Sequence, residues 1–84
     1  MYLTKEVTSW LISQQSPHAG FGYGLRENPD GVWLVVSLEE FAKYSGPQQE
    51  DLAAWMGQLC NSLRQRGIPC YIIRKEDLKE QLPE

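Results

Sequence analysis

Val32-Trp33-Leu34-Val35-Val36 and Ile68-Pro69-Cys70-Tyr71-Ile72-Ile73 are two apolar runs of strand length, separated by residues 37–67 with helical patterning. Unbroken apolar runs suit strands covered on both faces. The intervening segment is long enough to cross over and return the second run parallel to the first, as a βαβ unit requires. The expected fold class is therefore α/β, with α+β as the alternative.

Two helices are expected in the crossover. Ser37 and Glu40 have the S-x-x-E spacing of a capping box, opening a short helix through Leu38, Phe41 and Ala42 that Gly46 and Pro47 end. A longer helix starts at or near Pro47, with Glu50 and Asp51 early and Arg64 and Arg66 late, the order the helix dipole favours. Leu52, Met56, Leu59, Cys60 and Leu63 line its inner face, Trp55 lies at the margin, and Gly67 is the natural C-cap.

Upstream, Thr4 is the N-cap of a first helix with Val7, Trp10, Leu11 and Gln14 at helical spacing, a narrow stripe that suits a surface position. Pro17 disfavours helical geometry in the residue before it and ends that helix. Gly20 to Arg26 alternates as a strand, Phe21, Tyr23 and Leu25 on one face and Gly20, Gly22 and Gly24 on the other. Asn28-Pro29-Asp30-Gly31 suits a type I turn followed by a bulged left-handed residue, hence a hairpin. With Asn28 opposite Val32, Leu25 faces Val35, and Phe21, Tyr23, Leu25, Trp33 and Val35 share one face. A last short helix over Glu76 to Leu82 carries Leu78 and Leu82 one turn apart. The expectation is one globular domain over residues 1–84, in the order α-β-β-α-α-β-α. Its small mixed three-stranded sheet has helices on at least one face and the third strand at an edge.

At 84 residues a chain rarely gains more than roughly 3–5 kcal/mol net from its core alone. Three tryptophans, four tyrosines and 42% hydrophobic content exclude a disordered chain, because that much apolar area offsets the conformational entropy of ordering. A net charge of -3 opposes attraction to phosphate backbones and anionic membranes, so neither nucleic acid nor membrane is an expected partner. The apolar stretch after Lys5 and Glu6 is too short for a signal-peptide core or a membrane span, and the expected location is cytoplasmic. Cys60 and Cys70 are too few for a disulfide scaffold and fall in apolar patterns, so they read as reduced core thiols.

The G-x-G-x-G of Gly20 to Gly24 lacks the context of a phosphate loop. It follows a helix and enters a hairpin, with no P-loop lysine after it, so the glycines are expected to let a helix or an aromatic ring approach the sheet. The helix-hairpin layout with Pro29 and Asp30 at its tip resembles restriction-endonuclease-like nucleases in outline. The metal site of that family needs an acid and a lysine spaced E-x-K, and residues 32–37 carry neither. His18 is the only histidine, and Cys60 and Cys70 lack C-x-x-C spacing, so no metal, cofactor or catalytic set is expected.

Three other constellations have physical grounds. In open α/β sheets ligands bind beyond the carboxyl ends of parallel strands, here Ser37, the amides of Leu38 and Glu39, and Arg74 with Lys75. Tyr23 is expected at that edge, with His18 nearby. On the long helix Ala54, Gly57 and Asn61 lie opposite the core stripe, where small residues allow close approach of a partner. The third strand, with Tyr71 and Ile72 apolar on both faces, is an edge that needs cover, and pairing with its own copy in a homodimer supplies it. The expected function is that of a small acidic protein-interaction domain: an adaptor, inhibitor or subunit with an unidentified protein partner, of the size common among phage and mobile-element proteins. The alternative is an anion or metabolite sensor using Ser37 and Arg74.

Overall fold

The computed structural model describes residues 2–81, with side chains as far as Leu78. The elements follow the expected order: α1 Lys5–Ser13, β1 Gly24–Asn28, β2 Gly31–Val36, α2 Leu38–Phe41, α3 Gly46–Gln65, β3 Cys70–Arg74 and α4 Lys75–Gln81. The sheet is mixed, in order β1-β2-β3, with β1 antiparallel and β3 parallel to β2. It is the small α/β fold expected, with β3 at an edge. Leu82, expected one turn beyond Leu78, lies outside the described residues.

Helix ends follow from local chemistry. The Thr4 hydroxyl accepts from the Val7 amide and opens α1. The reciprocal capping box forms at α3 and not at α2. The Ser45 hydroxyl accepts from the Gln48 amide, and the Gln48 side chain accepts from the Ser45 amide at 3.0 Å. At α2 the Ser37 hydroxyl accepts from the Glu40 amide, but the Glu40 carboxylate turns to Lys43 instead. At the other end of α3, Gly67 adopts φ +82°, its amide bonds the Arg64 carbonyl and the Ile68 amide bonds the Leu63 carbonyl. This Schellman closure turns the chain directly from α3 into the approach to β3.

The hairpin register differs by one residue from expectation. Asn28 pairs with Gly31, Leu25 with Leu34 and Gly24 with Val35 across a two-residue Pro29-Asp30 loop. A one-residue shift flips one strand's side chains relative to the other. Leu25 and Tyr23 therefore join Val32 and Leu34 on the helix-covered face, while Gly24 lies beside Val35 on the far face. The physical reason is burial: Val32 and Leu34 are fully buried under the helices, and this register sets Leu25 opposite Leu34, where the expected one would set the charged Arg26.

The strand expected from Gly20 begins instead at Gly24. β2 stops at Val36 because Ser37 caps α2, so nothing remains for residues 20–22 to pair with. Phe21 leaves the sheet and is buried with Val36, Leu52 and Met56, edge-on to Phe41 and Tyr44. Of the three glycines expected to admit a helix or an aromatic ring, only Gly20 does: a Cβ there would stand 3.4 Å from the Tyr44 hydroxyl, whereas Gly24 meets only its strand partner Val35.

The main core joins Val7 and Leu11 of α1 and Leu59, Cys60 and Leu63 of α3 to Val32, Leu34 and Cys70. Both helices thus cover the same face. β2 is not covered on both sides as its apolar run suggests: Val32, Leu34 and Val36 are buried, while Trp33 and Val35 stay half-buried on the far face. The register sets Trp33 beside Tyr71 and Val35 beside Ile73 on that far face. Arg66 lies over the Trp10 ring, 4.6 Å from its centroid, which ties the end of α3 to α1.

Candidate functional site

The carboxyl ends of β2 and β3 lead directly into α2 and α4, which places Ser37 beside Lys75. The α2 amides expected to face a ligand are already occupied. The Glu76 carboxylate accepts from the Leu38 amide at 3.0 Å and from the Glu39 amide at 3.3 Å, and Ser37 takes the Glu40 amide. The hydrogen bond from Leu38 comes first among the causes that hold the Glu76 carboxyl below its ordinary pKa. Arg74 donates to Asp77 at 2.7 Å. Ser37, Glu39, Lys75 and Glu76 line a cavity of about 130 Å³, so its lining brings two acidic residues and one lysine together.

Tyr23 reaches this end of the sheet but turns its ring to the helix side, 5.6 Å from Trp55, and burial pushes its phenol pKa up. It still borders a far-side groove of about 600 Å³ shared with Ser37, Lys75, Val35 and Leu78. His18 is drawn away. Its Nε2 lies 3.0 Å from the Asp51 carboxylate on α3. The structure therefore gathers Ser37, Lys75 and Tyr23, commits Arg74 to Asp77 and sends His18 elsewhere. The sequence reading missed the acids Glu76 and Asp77, although opposite charges following immediately on Arg74 and Lys75 were a signal for local pairing.

The outer edge of β3 is built differently. The Val32 amide donates to the Pro69 carbonyl, so by alternation Tyr71 and Ile73 direct their backbone groups toward β2, and Cys70, Ile72 and Arg74 direct theirs outward. Arg64 satisfies the Cys70 carbonyl with two hydrogen bonds, at 2.7 and 3.2 Å. Ile72 is the centre of what remains. Its side chain is 43% exposed and borders an apolar notch of about 210 Å³ with Val36, Leu38, Phe41, Ala53 and Met56. Tyr71, 44% exposed, stands on the opposite face.

Comparison with known protein families, characterised proteins and solved structures finds no match to this chain. Its chemistry must be read from the residues alone. Ala54, Gly57 and Asn61 are all exposed on α3, and a Cβ at Gly57 would meet nothing within 4 Å. Among the described residues no three His, Cys, Asp or Glu side chains gather as metal ligands, and no helix is long and apolar enough to cross a membrane.

Proposed function

We propose that this chain is a small cytoplasmic protein-interaction subunit with no catalytic activity of its own, which associates through the outer edge of β3 with a second copy of itself. The observation that carries this reading is the position of Ile72. It combines outward backbone groups that have no partner among the described residues, an exposed apolar side chain and an adjoining apolar notch. An antiparallel pairing about a two-fold axis at Ile72 lets each Ile72 exchange both backbone hydrogen bonds with its copy. It also brings the two Ile72 side chains opposite each other and the two notches together. The patch is its own complement, as an isologous contact requires.

β3 spans five residues, so the interface lies at or below the low end of the ~1,200–2,000 Å² typical of stable complexes. Association is therefore weak and concentration-dependent. Light scattering from micromolar to millimolar protein should show monomer passing to dimer, and Ile72→Lys should remove the dimer while leaving the fold intact, because a buried unpaired charge at the centre opposes pairing. A parent that stays monomeric throughout, or a dimer indifferent to Ile72→Lys, overturns the proposal. The alternative, an anion or metabolite sensor using Ser37 and Arg74, has weaker support, because Glu76 and Asp77 already occupy the groups that would bind the anion.

A further inference from the structure

Cys60 and Cys70 are separated by the end of α3 and the Gly67 turn, yet their sulfurs lie 2.9 Å apart inside the main core. We propose that the two form a modification site: a thiol pair that a small peroxide converts to a disulfide bridging α3 and β3, and that a dithiol reductant restores. The sulfurs have a short distance to close. A disulfide needs its sulfurs at about 2.05 Å, so the gap to close is about 0.9 Å. The surrounding structure holds the pair in place: Arg64, one turn beyond Cys60 on the same helix, clamps the Cys70 carbonyl through Nε and Nη2. Effective concentration between groups held this way is high, which favours intramolecular closure over reaction with another chain.

The environment also assigns the roles. Once Cys60 ionises, the Cys70 thiol donates a hydrogen bond to it, and chiefly for that reason the Cys60 pKa falls to about 7, with the Arg64 charge helping and burial opposing. The same hydrogen bond and burial push Cys70 up. Cys60 also keeps slight exposure where Cys70 has none, so Cys60 is the sulfur a small oxidant reaches and Cys70 the resolving one. The Cys60 thiolate attacks one peroxide oxygen, the O–O bond breaks, and the departing hydroxide takes up a proton to become water. Cys70 then attacks the sulfenic sulfur of Cys60, the S–O bond breaks, and hydroxide leaves with the Cys70 proton as a second water. Two thiols and one hydrogen peroxide become one disulfide and two waters, with two electrons passing from sulfur to oxygen. Cys60 is 5% exposed, so the oxidant must be as small as peroxide.

The test treats the folded chain with one equivalent of hydrogen peroxide, then denatures it in iodoacetamide and measures intact mass. The expected product has lost two hydrogens, takes up no alkyl group, migrates as a single chain, and regains two alkylatable thiols after dithiothreitol. In urea, where the two sulfurs are no longer held together, closure should be about tenfold slower or more. Cys70→Ser should stop at a Cys60 sulfenic acid trapped by dimedone. If that variant does not fold, the comparison of folded with unfolded parent decides alone. Two alkylatable thiols after peroxide, a bridge between chains, or equal rates folded and unfolded overturn the proposal.

Discussion

Gly31 shows how a single residue is fixed by both its backbone and its neighbours. It closes the hairpin at φ +145°, where L side chains are strained, and a Cβ there would fall 2.5 Å from the Pro69 carbonyl oxygen, which itself accepts from Val32. The start of β3 is thus pressed against the turn, and any side chain at Gly31 must displace it. Gly57 is the opposite case, exposed in the middle of α3 with open space where a Cβ would be. The same substitution should therefore have opposite signs at the two sites. Gly31→Ala should cost at least about 1–3 kcal/mol through backbone strain, with the clash added, whereas Gly57→Ala should stabilise by about 0.8–1.0 kcal/mol through helix propensity. Urea denaturation of both variants measures this. A neutral Gly31→Ala would show that turn and strand yield easily, and a destabilising Gly57→Ala would show that the exposed face of α3 is in use.

At the scale of elements, α4 is linked to α2 by a carboxylate placed on its amides. Glu76 does for α2 what the Gln48 side chain does for α3, but from a distant part of the chain. Its pKa is lowered in the folded state, so the ionised form is the one that stabilises. The contribution is complete above the unfolded carboxyl pKa of about 4.3 and is lost as pH falls through the lowered folded value. Glu76→Gln should thus reduce the urea midpoint at pH 7, and the difference from the parent should shrink steadily as pH falls below about 4.3. A difference that is the same at pH 7 and at acid pH would mean that the charge is not what holds α2. Ser45 and Ser37 illustrate how element boundaries were legible in part. Both are serines before a helix with a polar long side chain three residues on, but the spacing cannot tell whether Glu40 bonds back or, as here, reaches Lys43.

For the whole molecule, the decisive feature is that α1 and α3 share one face of a three-stranded sheet. Among the described residues this leaves the outer edge of β3 uncovered at Ile72, and Trp33, Val35, Tyr71 and Ile73 on the far side without either long helix above them. If two copies join at β3, binding is linked to folding and the melting temperature must depend on concentration. Calorimetry at rising protein concentration should give a rising melting temperature for the parent and a constant one for Ile72→Lys. A constant value for both would remove self-association from the account, while the fold would be unaffected.

Local sequence dictates the order of elements, the Thr4 cap, the Ser37 bond to Glu40, the Gly67 closure and the inward face Leu52, Met56, Leu59, Cys60 and Leu63. Each of these rests on interactions within a turn or two of helix, so a short window of residues contains all the partners. It did not determine the hairpin register, the capture of the α2 amides by Glu76, the pairing of His18 with Asp51 or the contact of Cys60 with Cys70. β2 is apolar at every position from Val32 to Val36, so its local pattern is indifferent to which face turns inward. Only the docking of α1 and α3 on the same side chose Val32 and Leu34 for the core, and that choice set Leu25 beside Leu34 and brought α3 against Cys70. These contacts join residues far apart along the chain, and their free energy exists only once the faces have met.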